Sequence, residues 1–122
     1  MNPHSTYAFY GSLRKGMINY HEFESGLLFL YLDVIPGFQL YRLEHYPYAV
    51  RTGSPDDFLT VEVFEVTNPE TERSIHELEI GVGYLYDEVE IRGQQVGIYL
   101  FEFAGPEPLV KSGDWVQFFG SR

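Results

Sequence analysis

Short runs of β-favouring residues, separated by turn residues, limit the fold of this chain more than any other feature of its sequence. The runs are rich in Val, Ile, Leu, Tyr and Phe, and turn clusters such as Pro36-Gly37 and residues 53–57 interrupt them. The predicted strands are residues 6–10, 27–35, 38–43, 59–66, 84–91 and 96–103. The run 27–35 is almost continuously apolar, and this pattern favours a buried strand.

One helix has clear boundary signals. Asn68 is a suitable N-cap, Pro69 fits the first helical position, and Glu70 lies near the positive end of the helix dipole. The pattern predicts a helix from there to about Glu79. A second helix, of about two turns, is expected within residues 17–25.

The second half of the chain adds a hairpin and a closing strand to this pattern. Residues 84–91 and 96–103 flank the short loop 92–95, which favours pairing of the two runs. The apolar side chains of residues 115–119 predict a final strand. Strands dominate, and regular alternation of strand and helix is absent. The sequence therefore predicts an α+β fold in a single domain over residues 1–122, a strongly curved mixed β-sheet or small barrel with few helices.

Charge and cysteine content exclude several classes of function. Lys and Arg number 8 against 18 Asp and Glu, a net charge of -10, so a basic surface for a nucleic-acid backbone is not expected. The absence of cysteine excludes disulfides, thiolate nucleophiles and cysteine zinc sites. Residues 1–6 lack a signal-peptide pattern and no apolar run approaches membrane-spanning length, so we expect a cytoplasmic protein without a membrane partner.

The turn Tyr10-Gly11-Ser12-Leu13 is the first candidate site, and it follows the first predicted strand. Successive backbone N–H groups in such a turn can form a concave binding place for a carboxylate or an oxyanion, and glycine permits close approach. The alternative interpretation is an ordinary turn at the end of a strand.

Glu79, near the end of the predicted helix, is the second candidate. It lies four residues after Ile75 and so projects along the same helix face, at the edge of the buried stripe. Partial burial would raise its pKa towards about 6–7, which suits a group that accepts and releases a proton near neutral pH. The alternative is a solvated glutamate that pairs with a cation.

Two other kinds of chemistry have weaker signals. The histidines His4, His21, His45 and His76 do not show the i, i+4 spacing of a zinc protease site. Ser12 does not lie in a Gly-x-Ser-x-Gly elbow. A metal-dependent hydrolase and a serine nucleophile are therefore the weaker hypotheses.

Taken in order, these segments resemble the γ-glutamylcyclotransferase superfamily, particularly its short YtfP-like and γ-glutamylamine cyclotransferase members. Residues 7–16, followed by Asn19, are similar to the opening strand and the Tyr-Gly-Ser/Thr-Leu-Arg loop of that family. Residues 36–41 resemble its Gly-aromatic-x-Leu-Tyr segment, and residues 46–49 resemble its Tyr-Pro-x-Ala/Val segment. Residues 59–66 occupy the place of its Gly-Glu-Leu-Tyr-like strand.

The later segments carry the resemblance towards the end of the chain. Residues 75–79 are similar to the Leu-Asp-x-Leu-Glu helix of the family, so that Glu79 aligns with its catalytic glutamate. Tyr84 fits the tyrosine that follows this helix. Residues 112–115 resemble the closing Gly-Asp-Trp of the short members. The resemblance therefore spans most of the chain.

The resemblance implies cleavage of a small γ-glutamyl amide into 5-oxoproline and a free amine, with no cofactor, metal or enzyme nucleophile. It implies that Glu79 is the catalytic acid/base and that Arg14 is a charge partner, for which a surface role is the alternative. The substrate-binding residues that it implies are Tyr10, Gly11, Ser12, Leu13, Arg14 and Tyr84.

Three positions depart from the family pattern. His76 stands where Asp is usual, Ile80 where Gly is usual, and Tyr86 where Arg is common. These differences motivate an alternative hypothesis, in which the same fold is a non-catalytic module that binds a small ligand or a protein.

Overall fold

The computed structural model describes residues 5–120, so residues 1–4, including His4, lie outside the described part of the chain. A 3-10 turn over Glu24–Gly26 follows the first helix. The helices are α1 (Ile18–Phe23), α2 (Pro69–Gly81) and α3 (Trp115–Gly120). The strands are β1 (Thr6–Phe9), β2 (Leu27–Pro36), β3 (Phe38–Arg42), β4 (Pro47–Arg51), β5 (Phe58–Val66), β6 (Leu85–Ile91), β7 (Gln94–Leu100) and β8 (Leu109–Val110).

The strands form two sheets, which confirms the predicted α+β fold. One sheet has the order β2-β5-β1-β7-β6 and is mixed, because β1 lies antiparallel to β5 and parallel to β7. The other has the order β4-β3-β8 and is antiparallel. Contacts of β3 with β5 and of β4 with β7 hold the sheets together. Within residues 5–120 neither sheet closes on itself, so the small-barrel alternative is wrong.

Buried aromatic and aliphatic side chains fill the space between these elements. Trp115, Tyr48, Phe38, Phe64 and Leu40 are the bulkiest of the completely buried ones. They come from β3, β4, β5 and α3, so each of these elements contributes to one core. Within the described residues no helix is both long and apolar enough to cross a membrane.

The helix α2 begins where its signals predict. The Asn68 side chain accepts a hydrogen bond from the Thr71 N–H at 2.8 Å, and Pro69 is the first helical residue. The helix continues two residues beyond Glu79 and ends at Gly81. Glu79 therefore lies in the last turn of α2, where the Tyr84 N–H donates to its carbonyl oxygen at 3.0 Å.

The strand β2 is not buried, contrary to the prediction for residues 27–35. It lies at the edge of the five-stranded sheet and pairs, among the described residues, with β5 alone. Leu28, Leu30, Leu32 and Val34 are exposed. An apolar run indicates a strand, but the burial of that strand depends on what covers its faces, which the run does not encode.

The final strand predicted over residues 115–119 is wrong, because these residues form α3. Asp114 begins the helix: its side chain accepts from the Gln117 N–H at 3.1 Å, and its carbonyl accepts from the Phe118 N–H at 3.0 Å. Trp115 packs against Phe118 and Phe119 with ring centroids 5.5 and 5.8 Å apart. The i, i+3, i+4 spacing of these rings is that of a helix face.

The hairpin of β6 and β7 is tighter than the four-residue loop predicted for it. Arg92 and Gly93 have positive φ angles of 53° and 80°, which is the pattern of a two-residue hairpin turn. Gln94 and Gln95 consequently belong to β7 and pair with Ile91 and Glu90.

Candidate active site

A small cavity brings together most of the residues that the sequence singled out. Its volume is about 30 Å³, so it accepts only the reacting end of a ligand unless its walls move. Of the predicted site residues, Arg14 does not line it. The lining residues are Ala8, Phe9, Tyr10, Gly11, Ser12, Leu13, Pro47, Glu79, Tyr84 and Tyr99.

The turn after β1 uses its carbonyl groups to hold its own shape. The Gly11 carbonyl accepts from the Arg14 N–H at 3.0 Å, and the Ser12 carbonyl accepts from the N–H groups of Asn19 and Tyr20 at 3.0 and 3.1 Å. The Asn19 side chain also donates to Ser12 Oγ at 2.8 Å. The turn is therefore fixed to the beginning of α1.

The N–H groups of the same turn point away from the residues that its carbonyl groups contact. In a planar trans peptide the N–H points opposite to the C=O, so the N–H groups of Ser12 and Leu13 point away from the partners of the two carbonyls. Within residues 5–120, the N–H groups of Gly11, Ser12 and Leu13 donate to no other protein group. They are available to an anionic ligand.

Gly11 is required by a close approach between the turn and β4. A Cβ atom at position 11 would lie 2.8 Å from Cγ and 2.9 Å from Cδ of Pro47. Pro47 is the first residue of β4, and its ring lines the cavity beside the turn. Any larger residue at position 11 would push the turn away from this wall.

Glu79 lines the cavity from the last turn of α2. Burial raises the pKa of its carboxyl from 4.5 to about 7. Among the described residues, its carboxylate has no hydrogen-bond or ion-pair partner, and burial is the cause of the shift. The alternative of a solvated glutamate paired with a cation is therefore wrong, and the carboxyl can both hold and release a proton near neutral pH.

Two buried tyrosines form the walls next to Glu79. The Tyr84 hydroxyl donates to the Pro47 carbonyl. The Tyr10 hydroxyl donates to the Tyr99 carbonyl at 2.5 Å and accepts from the Ala49 N–H at 3.1 Å. Burial raises the pKa of both phenols, so they remain protonated and act as hydrogen-bonding wall residues.

Arg14 is buried rather than on the surface, so the surface alternative for this residue is wrong. Its Nε donates to Glu62 at 2.9 Å and its Nη1 donates to Asp114 at 2.7 Å. The Lys15 N–H donates to the other Glu62 oxygen at 2.8 Å. Arg14 thus ties the turn to β5 and to the beginning of α3.

Sequence reasoning missed Tyr99 and Pro47 as wall residues. Pro47 falls in the Tyr-Pro-x-Ala/Val segment, which could have indicated it, whereas Tyr99 belongs to a strand with no distinguishing motif. The Tyr99 hydroxyl lies 2.9 Å from Nδ1 of His76, on α2 three residues before Glu79. In residues 5–120, no group of three or more His, Cys, Asp or Glu side chains is arranged to hold a metal ion.

The fold and the site define a class of protein: an α+β fold in which a glutamic acid of raised pKa and an amide-rich glycine turn share a cavity. The chain belongs to the gamma-glutamyl cyclotransferase, AIG2-like family, whose sequence profile matches residues 7–117.

Relatives with known structures have the same fold. PH0828 of Pyrococcus horikoshii, named provisionally as a gamma-glutamylcyclotransferase, is 42% identical over 111 residues, or 88% of each chain. Its crystal structure superposes with a TM-score of 0.79 at 37% identity, over 95% of this chain and 93% of that chain. The ytfP protein of Escherichia coli has a TM-score of 0.71 at 26% identity, over 93% and 98%. An AIG2-like protein of Mus musculus, 18% identical, shares the fold with a TM-score of 0.72, over 88% and 86%.

Proposed function

We propose that this protein converts a γ-glutamyl amide into 5-oxoproline and a free amine, with Glu79 as the acid/base. The observation that carries the proposal is the shared cavity. A carboxyl with a pKa of about 7 lines it, together with three residues whose N–H groups have no acceptor among residues 5–120. Membership of the gamma-glutamyl cyclotransferase family and the name of PH0828 support it.

Binding is assigned to the turn after β1. The N–H groups of Gly11, Ser12 and Leu13 hold the carboxylate of the glutamyl group or the oxygen that becomes negative during reaction. Tyr10 and Tyr84 shape the wall against which the glutamyl chain folds. Arg14 does not line the cavity. Its ion pairs with Glu62 and Asp114 hold the turn in place.

The reaction needs a proton carrier rather than a protein nucleophile. The substrate's α-amine is mostly ammonium at neutral pH, because even the less basic α-amine of a peptide has a pKa of about 7.7–8.0, and Glu79 removes its proton. The amine nitrogen then bonds to the γ-carbonyl carbon and closes the five-membered ring. As the tetrahedral intermediate collapses, the ring nitrogen loses its second proton and the bond to the departing nitrogen breaks. The departing nitrogen takes up both protons, the first of them from Glu79, and leaves as an ammonium ion. No water is consumed.

Binding the substrate in a folded conformer supplies much of the rate acceleration in such a reaction. The attacking amine and the carbonyl belong to one molecule, and well-oriented intramolecular reactions reach effective molarities of about 10⁵–10⁸ M. A narrow cavity favours the folded conformer of the substrate over extended ones. The cavity between α2 and the turn is of this kind.

The test is formation of 5-oxoproline from a panel of γ-glutamyl amines, γ-glutamyl dipeptides and glutathione. For the panel member that the parent cleaves best, Glu79→Gln is expected to lower kcat by about 10²–10⁴-fold, because the amide keeps the shape and loses the proton acceptor. Glu77→Gln is the matched control, because Glu77 lies on the same helix and is exposed.

Two outcomes contradict the proposal. Undiminished 5-oxoproline formation by Glu79→Gln would remove Glu79 from the chemistry. A rise in melting temperature with a γ-glutamyl compound, without product from any member of the panel, would indicate the non-catalytic binding module instead.

A further inference from the structure

A second, much larger hollow lies directly beside the proposed active site. It has a volume of about 790 Å³ against about 30 Å³ for the cavity, and the two meet at Ser12, which lines both. Met17 and Ile18 at the beginning of α1 form one side, and Trp115 and Phe119 of α3 form the other. We call it the α1–α3 groove.

The side chains on the two sides of the α1–α3 groove are apolar, and some of them are exposed to solvent. Ile18 is 79% exposed and Phe119 is 45% exposed, whereas Trp115 is buried and forms the floor. Ligand pockets of proteins are commonly concave spaces of about 300–1,000 Å³ with mainly apolar walls. The α1–α3 groove has this size and this character.

The size of the cavity indicates what the α1–α3 groove is for. A γ-glutamyl amide consists of a glutamyl half, which reacts, and an amine half, which departs. A cavity of about 30 Å³ takes in only the atoms around the reacting carbonyl, so the amine half must extend out of it. The groove and the cavity share Ser12, in the turn assigned to the glutamyl half, so the groove lies next to the reacting end.

Charge restricts the amine half further. Among residues 5–120, neither lysine nor arginine lines the α1–α3 groove. The ionisable residues on its rim are Glu44 and His45, with side chains 87% and 82% exposed and with Oε1 and Nε2 3.6 Å apart. A departing group that carries a carboxylate would meet the Glu44 carboxylate there, in a protein whose net charge is -10. An uncharged apolar body avoids this repulsion.

We infer that the α1–α3 groove binds the departing half of the substrate, and that this half is an apolar alkyl or aryl amine without a carboxylate. The inference rests on the proposed function and adds the substrate class to it. The groove acts through burial of apolar surface, which is worth about fourfold in binding for each methylene taken out of water.

The experiment uses γ-glutamyl methylamide, butylamide and hexylamide. Their departing amines have similar basicity, so the chemical step changes little along the series while the apolar length increases. We expect kcat/KM for 5-oxoproline formation to rise by up to about fourfold per methylene while the chain still lies in the groove. A γ-glutamyl amino acid of similar size is expected to be a poorer substrate than the hexylamide.

Ile18→Ser tests the groove itself. Since this side chain is largely exposed, the substitution leaves the core intact, and it is expected to lower the hexylamide to methylamide ratio of kcat/KM by about fourfold or more. Phe103→Ser is the matched control, because Phe103 is 77% exposed and lies outside the groove, and it should keep the parent ratio.

The results separate this inference from the function on which it rests. If all three amides are turned over with one value of kcat/KM, or if Ile18→Ser keeps the parent's hexylamide to methylamide ratio, the inference about the groove is wrong. The proposed cyclotransferase function is not affected by either result. A preference for the γ-glutamyl amino acid over the hexylamide also overturns it. No 5-oxoproline from any of these compounds refutes the proposed function, and the inference fails with it.

Discussion

Two glutamates inside this protein have opposite surroundings. Glu62 on β5 is buried in a cluster of partners, with Arg14 and the Lys15 N–H on its two oxygens. Glu79 on α2 lines a cavity with no described partner, and burial raises its pKa to about 7. A paired carboxylate stabilises the fold, whereas an unpaired one is left free to exchange a proton. The difference between the two sites lies in their partners rather than in the residue.

The largest expected effect on stability comes from removal of the partner of Glu62. Arg14→Met leaves that carboxylate buried without its cation, which should lower the free energy of unfolding by about 3–5 kcal/mol. Urea unfolding at pH 7 measures this. Arg51→Met is the control, because the Arg51–Asp87 pair at 3.1 Å is half-exposed and should contribute about 1 kcal/mol or less. Equal losses in the two variants would show that Glu62 does not depend on its cation.

The opposite change is expected at Glu79, where removal of the charge should stabilise the protein. A carboxyl pKa raised from 4.5 to about 7 means that the folded protein binds the proton more tightly than the unfolded chain does. The stabilising contribution is complete below pH 4.5 and is lost as the pH rises through 7. The loss corresponds to at most about 3 kcal/mol.

Glu79→Gln should therefore be more stable than the parent at pH 8, by up to that amount, and the advantage should disappear near pH 4. Denaturant unfolding of both proteins across this range measures the difference. Glu77→Gln, on the exposed face of α2, should track the parent throughout. A Glu79→Gln variant that is less stable than the parent at pH 8 would indicate that the carboxylate has a stabilising partner after all.

A smaller effect is expected from the contact between the turn and β4. Gly11→Ala places a Cβ 2.8 Å from the Pro47 ring, and such overpacking commonly costs about 1–3 kcal/mol. Gly81→Ala is the matched control, since a Cβ there meets no atom of residues 5–120 within 4 Å, and it should be neutral or stabilising by up to about 1 kcal/mol. Thermal unfolding of both variants measures the difference. Similar melting temperatures would mean that the turn shifts to accommodate the added methyl group at little cost in stability.

Local signals predicted those parts of the site that a short stretch of chain determines. Asn68 and Pro69 predict the beginning of α2 and hence the position of Glu79 in its last turn. Gly11 predicts the turn after β1. The meeting of the two at one cavity depends on long-range packing of α2 and β1, and the family resemblance rather than any local pattern predicted it.

The parts that failed depend on tertiary surroundings. An apolar run predicts β2 as a strand, but the burial of its side chains depends on what covers the sheet there, and Leu28 and Leu32 lie exposed to solvent. In α3 the Asp114 cap and the helical spacing of the rings outweigh the β propensity of aromatic residues. The burial of Arg14 depends on Glu62 and Asp114, which lie far from it in the sequence.

The pH dependence of kcat/KM for 5-oxoproline formation tests the central claim most directly, because it reports the ionisation of the free enzyme. With the panel member that the parent cleaves best, we expect kcat/KM to fall about tenfold per pH unit on the acid side, with a midpoint near the Glu79 pKa of about 7. An acid limb with its midpoint near 4.5, the ordinary value for a glutamate, would contradict the assignment of Glu79 as the base.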